Sequence, residues 1–132
     1  QMPDAYFASA YDDLFVIEGN ATLGDELAER YFDVVISPIG GGGLISGISK
    51  GLCRNGHRAA LVGAEPLLGN DAAQSLRAGK IIPNEVEPMT LADGARTISL
   101  GKHNWEIIKS GVAEIVEVSD ENIAEAVRLY FN

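Results

Sequence analysis

The sequence lacks cysteine pairs, long apolar runs and an excess of positive charge. Its 132 residues include one cysteine, Cys53, which excludes a disulfide framework and predicts a reducing, cytoplasmic location. No apolar run approaches the roughly 18 residues that cross a bilayer. The 10 Lys and Arg residues stand against 19 Asp and Glu residues, and the net charge of −9 argues against nucleic acid and anionic membranes as partners.

Short β-branched runs alternate with helical apolar patterns along most of the chain. Val34 to Ile36 is typical of a strand buried on both faces. Thr22, with Asp25 three residues later, predicts a helix that begins there and runs to about Tyr31. Predicted strands cover residues 6–8, 34–36, 60–63 and 112–118, and predicted helices cover residues 22–31, 44–52, 71–78, 104–109 and the segment after Asp120. This order predicts an α/β fold with a parallel sheet and helices on both faces.

Four consecutive glycines, Gly40 to Gly43, lie between a predicted strand and a predicted helix. Because glycine has no Cβ, their N–H groups can turn toward one anion and let it approach closely. The unpaired amides and the positive dipole end of the following helix favour the same ligand. The pattern predicts a phosphate site at the carboxyl end of a strand. The alternative is a flexible loop, and neither the GxxxxGK[ST] nor the GxGxxG pattern fits well.

Three segments carry the motifs of one enzyme family: residues 37–47 (SPIGGGGLISG), 62–66 (VGAEP) and 90–97 (TLADGART). In this order and near this spacing, they resemble the phosphate loop, the strand after it and the ring-side segment of fold type II pyridoxal-phosphate enzymes. The resemblance is to the threonine/serine dehydratase and serine racemase branch, and it covers nearly all of the chain. Four glycines favour this branch over the cysteine synthases, whose loop contains threonine.

The resemblance implies a set of cofactor-binding residues. The phosphate of pyridoxal 5'-phosphate would be bound by Gly40, Gly41, Gly42, Gly43 and the Leu44 amide. Gly94 would lie near the pyridine ring, where a side chain would not fit. The family's Schiff-base lysine lies upstream of this region, and its motif contains none of Lys50, Lys80, Lys102 and Lys109. The complete enzyme would act on threonine or serine, by eliminating water and then ammonia or by racemisation, whereas this chain alone is predicted to be inactive.

Glu65 and Asp71 flank a turn that contains glycine, so carboxylate and carbonyl oxygens could meet there around a hard cation. The resemblance implies that Glu65, Gly69 and Asp71 hold Mg²⁺ or another cation. The alternative is that Asp71 only caps its helix and that Glu65 is solvated. The sequence leaves both interpretations open.

The two ends of the sequence predict a fragment of a larger protein. The chain begins at Gln1 rather than methionine, and it ends on a helical apolar stripe of Ile123, Val127 and Tyr130. We expect residues 1–132 to be part of one large cofactor-binding domain, without the catalytic-lysine region and the C-terminal end. The rest of the parent chain would be its partner, and we also expect a homo-oligomer. A second hypothesis is a non-catalytic α/β module that binds a phosphorylated ligand.

Overall fold

A computed structural model describes residues 5–131; Gln1, on which part of the fragment prediction rests, lies outside them. The helices are α1 (Leu14–Ala28), α2 (Gly43–Arg54), α3 (Asp71–Ala78), α4 (Lys102–Gly111) and α5 (Asp120–Tyr130). The strands are β1 (Val34–Pro38), β2 (Ala60–Pro66) and β3 (Glu114–Val118). Within residues 5–131, no helix combines the length and the apolar character needed to cross a membrane.

The three strands form one parallel sheet in the order β1-β2-β3. Val34 lies opposite Ala60, and Val62 lies opposite Glu114. Both connections step across the sheet in the same direction, so right-handed crossovers place α2, α3 and α4 on one face. The predicted α/β fold with a parallel sheet is confirmed.

The apolar core lies between the sheet and the helices of this face. Its members are at most 8% exposed: Ile39, Ile45, Ile48, Leu52, Leu61, Ala72, Ala73, Leu100, Trp105, Ile108, Val112 and Ile115. Removing this surface from water is the main favourable contribution to folding. Because Ile39 and Ile45 lie on either side of the glycines, burial of these two side chains anchors both ends of the glycine segment.

Helix α1 packs closely on α2 through glycines on both helices. A Cβ built at Gly24 would lie 2.8 Å from the Gly51 Cα and 2.5 Å from the Ile48 carbonyl oxygen. A Cβ at Gly51 would lie 2.6 Å from the Gly24 Cα. Glycine in a helix interior costs up to about 1 kcal/mol relative to alanine. The backbone contact that these glycines permit explains why the sequence tolerates that cost.

Two predictions for the N-terminal part are wrong. Helix α1 begins at Leu14, because Asp13 has extended backbone and its carboxylate accepts from the Phe15 and Val16 N–H groups at 2.8 and 3.2 Å. Thr22 therefore lies inside the helix, where its hydroxyl donates to the Gly19 carbonyl at 2.8 Å. Residues 6–8 form no strand, since their backbone has no ladder partner among the described residues.

Candidate functional site

The four glycines, which we call the glycine loop (Gly40–Gly43), leave the sheet at the carboxyl end of β1 and begin α2. The Ile39 N–H donates to the Ala64 carbonyl at 2.8 Å, so parallel pairing continues one residue beyond β1. The next three residues form the turn, and α2 begins at Gly43. The predicted position between a strand and a helix is confirmed, and such an edge is where α/β proteins commonly bind ligands.

Two different demands explain three of the four glycines of the loop. Only Gly42 has a positive φ, 96°, and it is the N-cap of α2. A Cβ at Gly41 would overlap the Tyr11 ring, and one at Gly43 would lie 2.9 Å from the Tyr11 carbonyl oxygen. Left-handed backbone therefore explains one glycine, while close contact with the Tyr11 segment explains two others.

The backbone amides of the glycine loop lack backbone acceptors in the described part of the chain. Among residues 5–131, no backbone hydrogen bond has the N–H of Gly40, Gly41 or Gly42 as its donor. The first amides of α2, from Gly43 and Leu44, lack intrahelical acceptors by geometry, and Gly42 has no side chain to cap them. The first turn of α2 contains no acidic residue. Unpaired donors at a helix N-terminus fit a phosphate group.

The segment around Gly94 lies beside the glycine loop, as the cofactor prediction requires. The Gly94 carbonyl oxygen is 3.2 Å from a Cβ built at Gly40, and the next contact is the Ala95 Cα at 3.4 Å. Gly94 itself is exposed, and no protein atom of the described residues lies within 4 Å of a Cβ built there. The folded chain thus brings two predicted site segments together, and packing within the chain does not account for glycine at position 94.

The residues that connect the glycine loop to the start of α4 were not predicted from the sequence. Asp12 accepts from the Lys102 and His103 N–H groups at 2.9 Å each. Asn104, buried at the start of α4, donates to the Gly41 and Tyr11 carbonyls. These contacts join positions that are 63 to 93 residues apart in the sequence. The local signal is weak: aspartate is a preferred capping residue, but the sequence does not show that Asp12 caps a helix 90 residues away.

Glu65 is buried, 3% exposed, at the carboxyl end of β2. Its carboxylate accepts from the Ala72 and Ala73 N–H groups at 3.2 and 2.6 Å, and so caps α3. Burial raises the pKa of Glu65 to about 7, the nearby Asp71 acts in the same direction, and the two amides oppose the shift. The alternative in which Glu65 is solvated is therefore wrong.

Asp71 is also buried, at 2% exposed, in the first turn of α3. Its oxygens accept from Asn84 Nδ2 at 2.9 Å and from the Leu100 N–H at 3.0 Å. Burial raises the pKa of Asp71 to about 6, while these two hydrogen bonds lower it. Asp71 is the first residue of α3 and not its N-cap, and its carboxylate ties the long connection after α3 to this helix. The alternative in which Asp71 only caps its helix is therefore wrong.

A cation site at Glu65, Gly69 and Asp71 stays a prediction. Gly69 is buried in the turn between Glu65 and Asp71. Within residues 5–131, no three His, Cys, Asp or Glu side chains are grouped closely enough to hold a metal ion. A site there would need carbonyl or water oxygens beside the two carboxylates, which is ordinary for Mg²⁺ and Ca²⁺. The fit to a cation rests on two buried carboxylates that form no salt bridge among the described residues.

Known proteins place the whole chain in one family. The family model described as "Pyridoxal-phosphate dependent enzyme" matches residues 1–132. A serine racemase of Schizosaccharomyces pombe is 38% identical over 122 residues, which are 91% of this chain and 38% of the racemase. An L-threonine ammonia-lyase of Geobacter sulfurreducens is 37% identical over 125 residues, which are 93% of this chain and 31% of the lyase.

The fold agrees with these sequence relationships. The structure of maize serine racemase superimposes with a TM-score of 0.87 at 34% identity, covering 94% of this chain and 39% of the maize chain. The chain thus spans less than two fifths of the length of the curated racemase and lyase that it matches. The match over all residues, together with a glycine loop whose free amides suit a phosphate, establishes that the chain belongs to the family of pyridoxal-phosphate dependent enzymes.

Proposed function

We propose that the full-length protein is a pyridoxal-phosphate dependent ammonia-lyase acting on threonine or serine, or a serine racemase-like enzyme. One observation carries this proposal: the unpaired amides of the glycine loop lie directly beside Gly94. The similarity to a serine racemase and to an L-threonine ammonia-lyase supports an amino-acid substrate with a β-hydroxyl group. Both kinds of relative share this part of the chain, so its residues do not separate lyase from racemase.

Each predicted site residue has a proposed role. The phosphate would be held by the N–H groups of Gly40, Gly41, Gly42, Gly43 and Leu44. These amides, with the positive end of the α2 dipole, supply neutral donors that need no lysine or arginine. Gly94 would leave room for the cofactor ring, which is consistent with the open space beside it. Bound pyridoxal phosphate supplies an electron sink for the substrate carbanion.

The lysine that moves the substrate proton is proposed to come from another part of the full-length protein. Lys50 and Lys109 form exposed salt bridges with Glu18 and Glu106, each at 2.5 Å. Lys80 and Lys102 are exposed as well. In the described residues, therefore, no lysine is buried beside the glycine loop. The contribution of this chain is to bind and orient the cofactor.

We also propose that residues 1–132 form part of one large domain. The sheet face opposite the core carries Val34 at 49%, Ile36 at 69% and Val116 at 43% exposure. These three side chains share one face, since alternate residues of parallel strands point the same way. Such an apolar surface favours cover by the rest of the full-length protein or by a second copy in a homo-oligomer. A cytoplasmic location remains proposed on the single cysteine.

The proposed activity is tested on the purified full-length protein with pyridoxal phosphate. We expect 2-oxobutanoate and ammonia from L-threonine, or pyruvate, ammonia or D-serine from L-serine. Residues 1–132 alone serve as the control and should form none of these products. Binding of a phosphorylated ligand by a full-length protein that neither binds pyridoxal phosphate nor releases ammonia would favour the non-catalytic module instead.

The cation proposal for Glu65, Gly69 and Asp71 predicts a chelator response. EDTA should lower the melting temperature of the full-length protein and Mg²⁺ or Ca²⁺ should restore it, because a ligand that binds only the native state stabilises it. The response should be larger at pH 8 than at pH 5, since the raised pKa values leave both carboxyl groups protonated at the lower pH. Asp71→Asn retains one acceptor oxygen but loses the negative charge, so this variant should show no change of melting temperature with EDTA. A response that persists in Asp71→Asn contradicts this site.

A further inference from the structure

Asn104 lies beneath the glycine loop with no measurable exposure. Its Nδ2 donates to the Gly41 carbonyl at 2.8 Å and to the Tyr11 carbonyl at 2.9 Å. Because both partners are acceptors, they determine which end of the side-chain amide faces the loop. The two hydrogens of the Asn104 side-chain amide are thus donated to the glycine loop and to the Tyr11 backbone beside it. Its Oδ1 has no hydrogen-bond partner among the residues that the structure describes.

The Gly41 carbonyl is held by two donors at once. Besides Asn104, it accepts from the Gly101 N–H at 3.0 Å. In a trans peptide the carbonyl and the following N–H point in opposite directions, and residues 5–131 contain no cis peptide. Since the Gly41 oxygen points toward the start of α4, the Gly42 N–H points away from α4, where it has no protein acceptor among those residues.

We propose that Asn104 is a positioning residue for anion binding, which acts by fixing the Gly41–Gly42 peptide so that the Gly42 N–H faces the phosphate. This inference rests on the proposed function of the glycine loop. The Gly42 backbone has a φ of 96°, and glycine offers little resistance to rotation away from it. Hydrogen bonds to the Gly41 carbonyl therefore supply the restraint that the glycines themselves lack.

Asp12 keeps Asn104 in place. Helix α4 has no side-chain cap from its own N-cap residue, Gly101. The Asp12 carboxylate instead accepts from the Lys102 and His103 N–H groups, at 2.9 Å each. A Cβ at Gly101 would overlap this carboxylate, so the contact is close. The start of α4 supplies both donors to the Gly41 carbonyl, the Gly101 N–H and Asn104 Nδ2. Asp12 thereby attaches it to Tyr11, whose side chain lies against the glycine loop.

The test compares variants of the full-length protein by two measurements on bound pyridoxal phosphate. These are its dissociation constant and the ³¹P chemical shift of its phosphate. Asn104→Leu, close in size but without donors, should raise the dissociation constant about tenfold, the equivalent of one lost hydrogen bond. It should also move the ³¹P resonance, because one donor of the cradle turns away. Asp12→Asn should produce a smaller change in the same direction, and it leaves no cavity.

A matched control separates positioning from general loss of stability. Leu52→Ala removes a buried side chain at the far end of α2, so it should lower the melting temperature and leave the ³¹P resonance unchanged. An unchanged affinity and resonance in Asn104→Leu, while Gly42→Val loses cofactor, would overturn the role of Asn104 alone. Unchanged cofactor binding in both variants would overturn the proposed function of the loop. Should Asn104→Leu fail to fold, an unchanged resonance in Asp12→Asn overturns the inference.

Discussion

Replacing Gly42 by valine is expected to raise the pyridoxal-phosphate dissociation constant of the full-length protein by well over tenfold. Gly42 has a φ of 96°, a conformation that a β-branched residue resists. A Cβ there would also lie 2.9 Å from Ile108 Cδ1 and 3.0 Å from Asn104 Cβ. Since both neighbours belong to α4, the loop would have to move away from that helix. The movement would reorient the amides proposed to bind the phosphate.

Gly56→Val is the matched control for this substitution. Gly56 also has a positive φ, 67°, but no atom of residues 5–131 lies within 4 Å of a Cβ built there. Both variants therefore carry backbone strain of about 1–2 kcal/mol, and only Gly42→Val adds contact with α4. Absorbance titration with pyridoxal phosphate should show near-normal affinity for Gly56→Val. Equal affinity in the two variants would show that the loop is not the phosphate anchor.

Gly51→Leu is expected to destabilise the protein by about 3 kcal/mol, the upper end of the usual cost of overpacking. A Cβ at Gly51 would lie 2.6 Å from the Gly24 Cα and 2.7 Å from the Asp25 nitrogen. These are backbone atoms of α1, which cannot move aside as a flexible side chain can. Leucine would therefore separate the two helices along their crossing. Urea unfolding of the full-length protein measures the loss as a lower midpoint.

The control is a glycine of α1 that faces solvent. Gly19 is exposed, and in the described part of the chain no atom lies within 4 Å of a Cβ built there. Gly19→Ala should raise the unfolding free energy by up to about 1 kcal/mol, because alanine is the better helix former. Opposite signs at Gly19 and Gly51 would identify close helix packing, rather than helix propensity, as the reason for glycine at position 51. A midpoint for Gly51→Leu that matches the unsubstituted protein would contradict this packing argument.

Elements whose boundaries depend on neighbouring residues were predictable. Helix α3 covers the predicted residues 71–78, because Gly79 ends it with a φ of 68°. The glycine loop lies between β1 and α2, as its flanking apolar residues predicted. Helix α1 was predicted poorly, since both Asp13 and Thr22 are good capping residues. Only the extended backbone of Asp13, whose carboxylate accepts from the Phe15 and Val16 N–H groups, decides between them.

The positions of Glu65 and Asp71 could be predicted from local spacing, but their hydrogen-bond partners could not. The spacing of Glu65 and Asp71 indicated a shared turn, and both do lie buried around Gly69. Their partners were not predictable, because Glu65 caps a helix that follows it and Asp71 binds Asn84 and Leu100 across a long connection. From the sequence alone, the cap of α3 is assigned to Asp71, the acidic residue nearest to the start of the helix. Here the strand before the helix supplies it.

The amino-acid sequence by itself determined the α/β fold and the glycine loop, since strand periodicity, helix periodicity and glycine geometry act over a few residues. It also carried the family motifs that the whole-chain match confirms. The tertiary structure alone decided which side of the loop is covered and which is open. Tyr11 and Asn104 reach the loop from distant parts of the chain, and Asp12 joins the Tyr11 segment to the start of α4. Contacts between residues so far apart leave no local pattern, because only the packing of α1, α4 and the sheet brings them together.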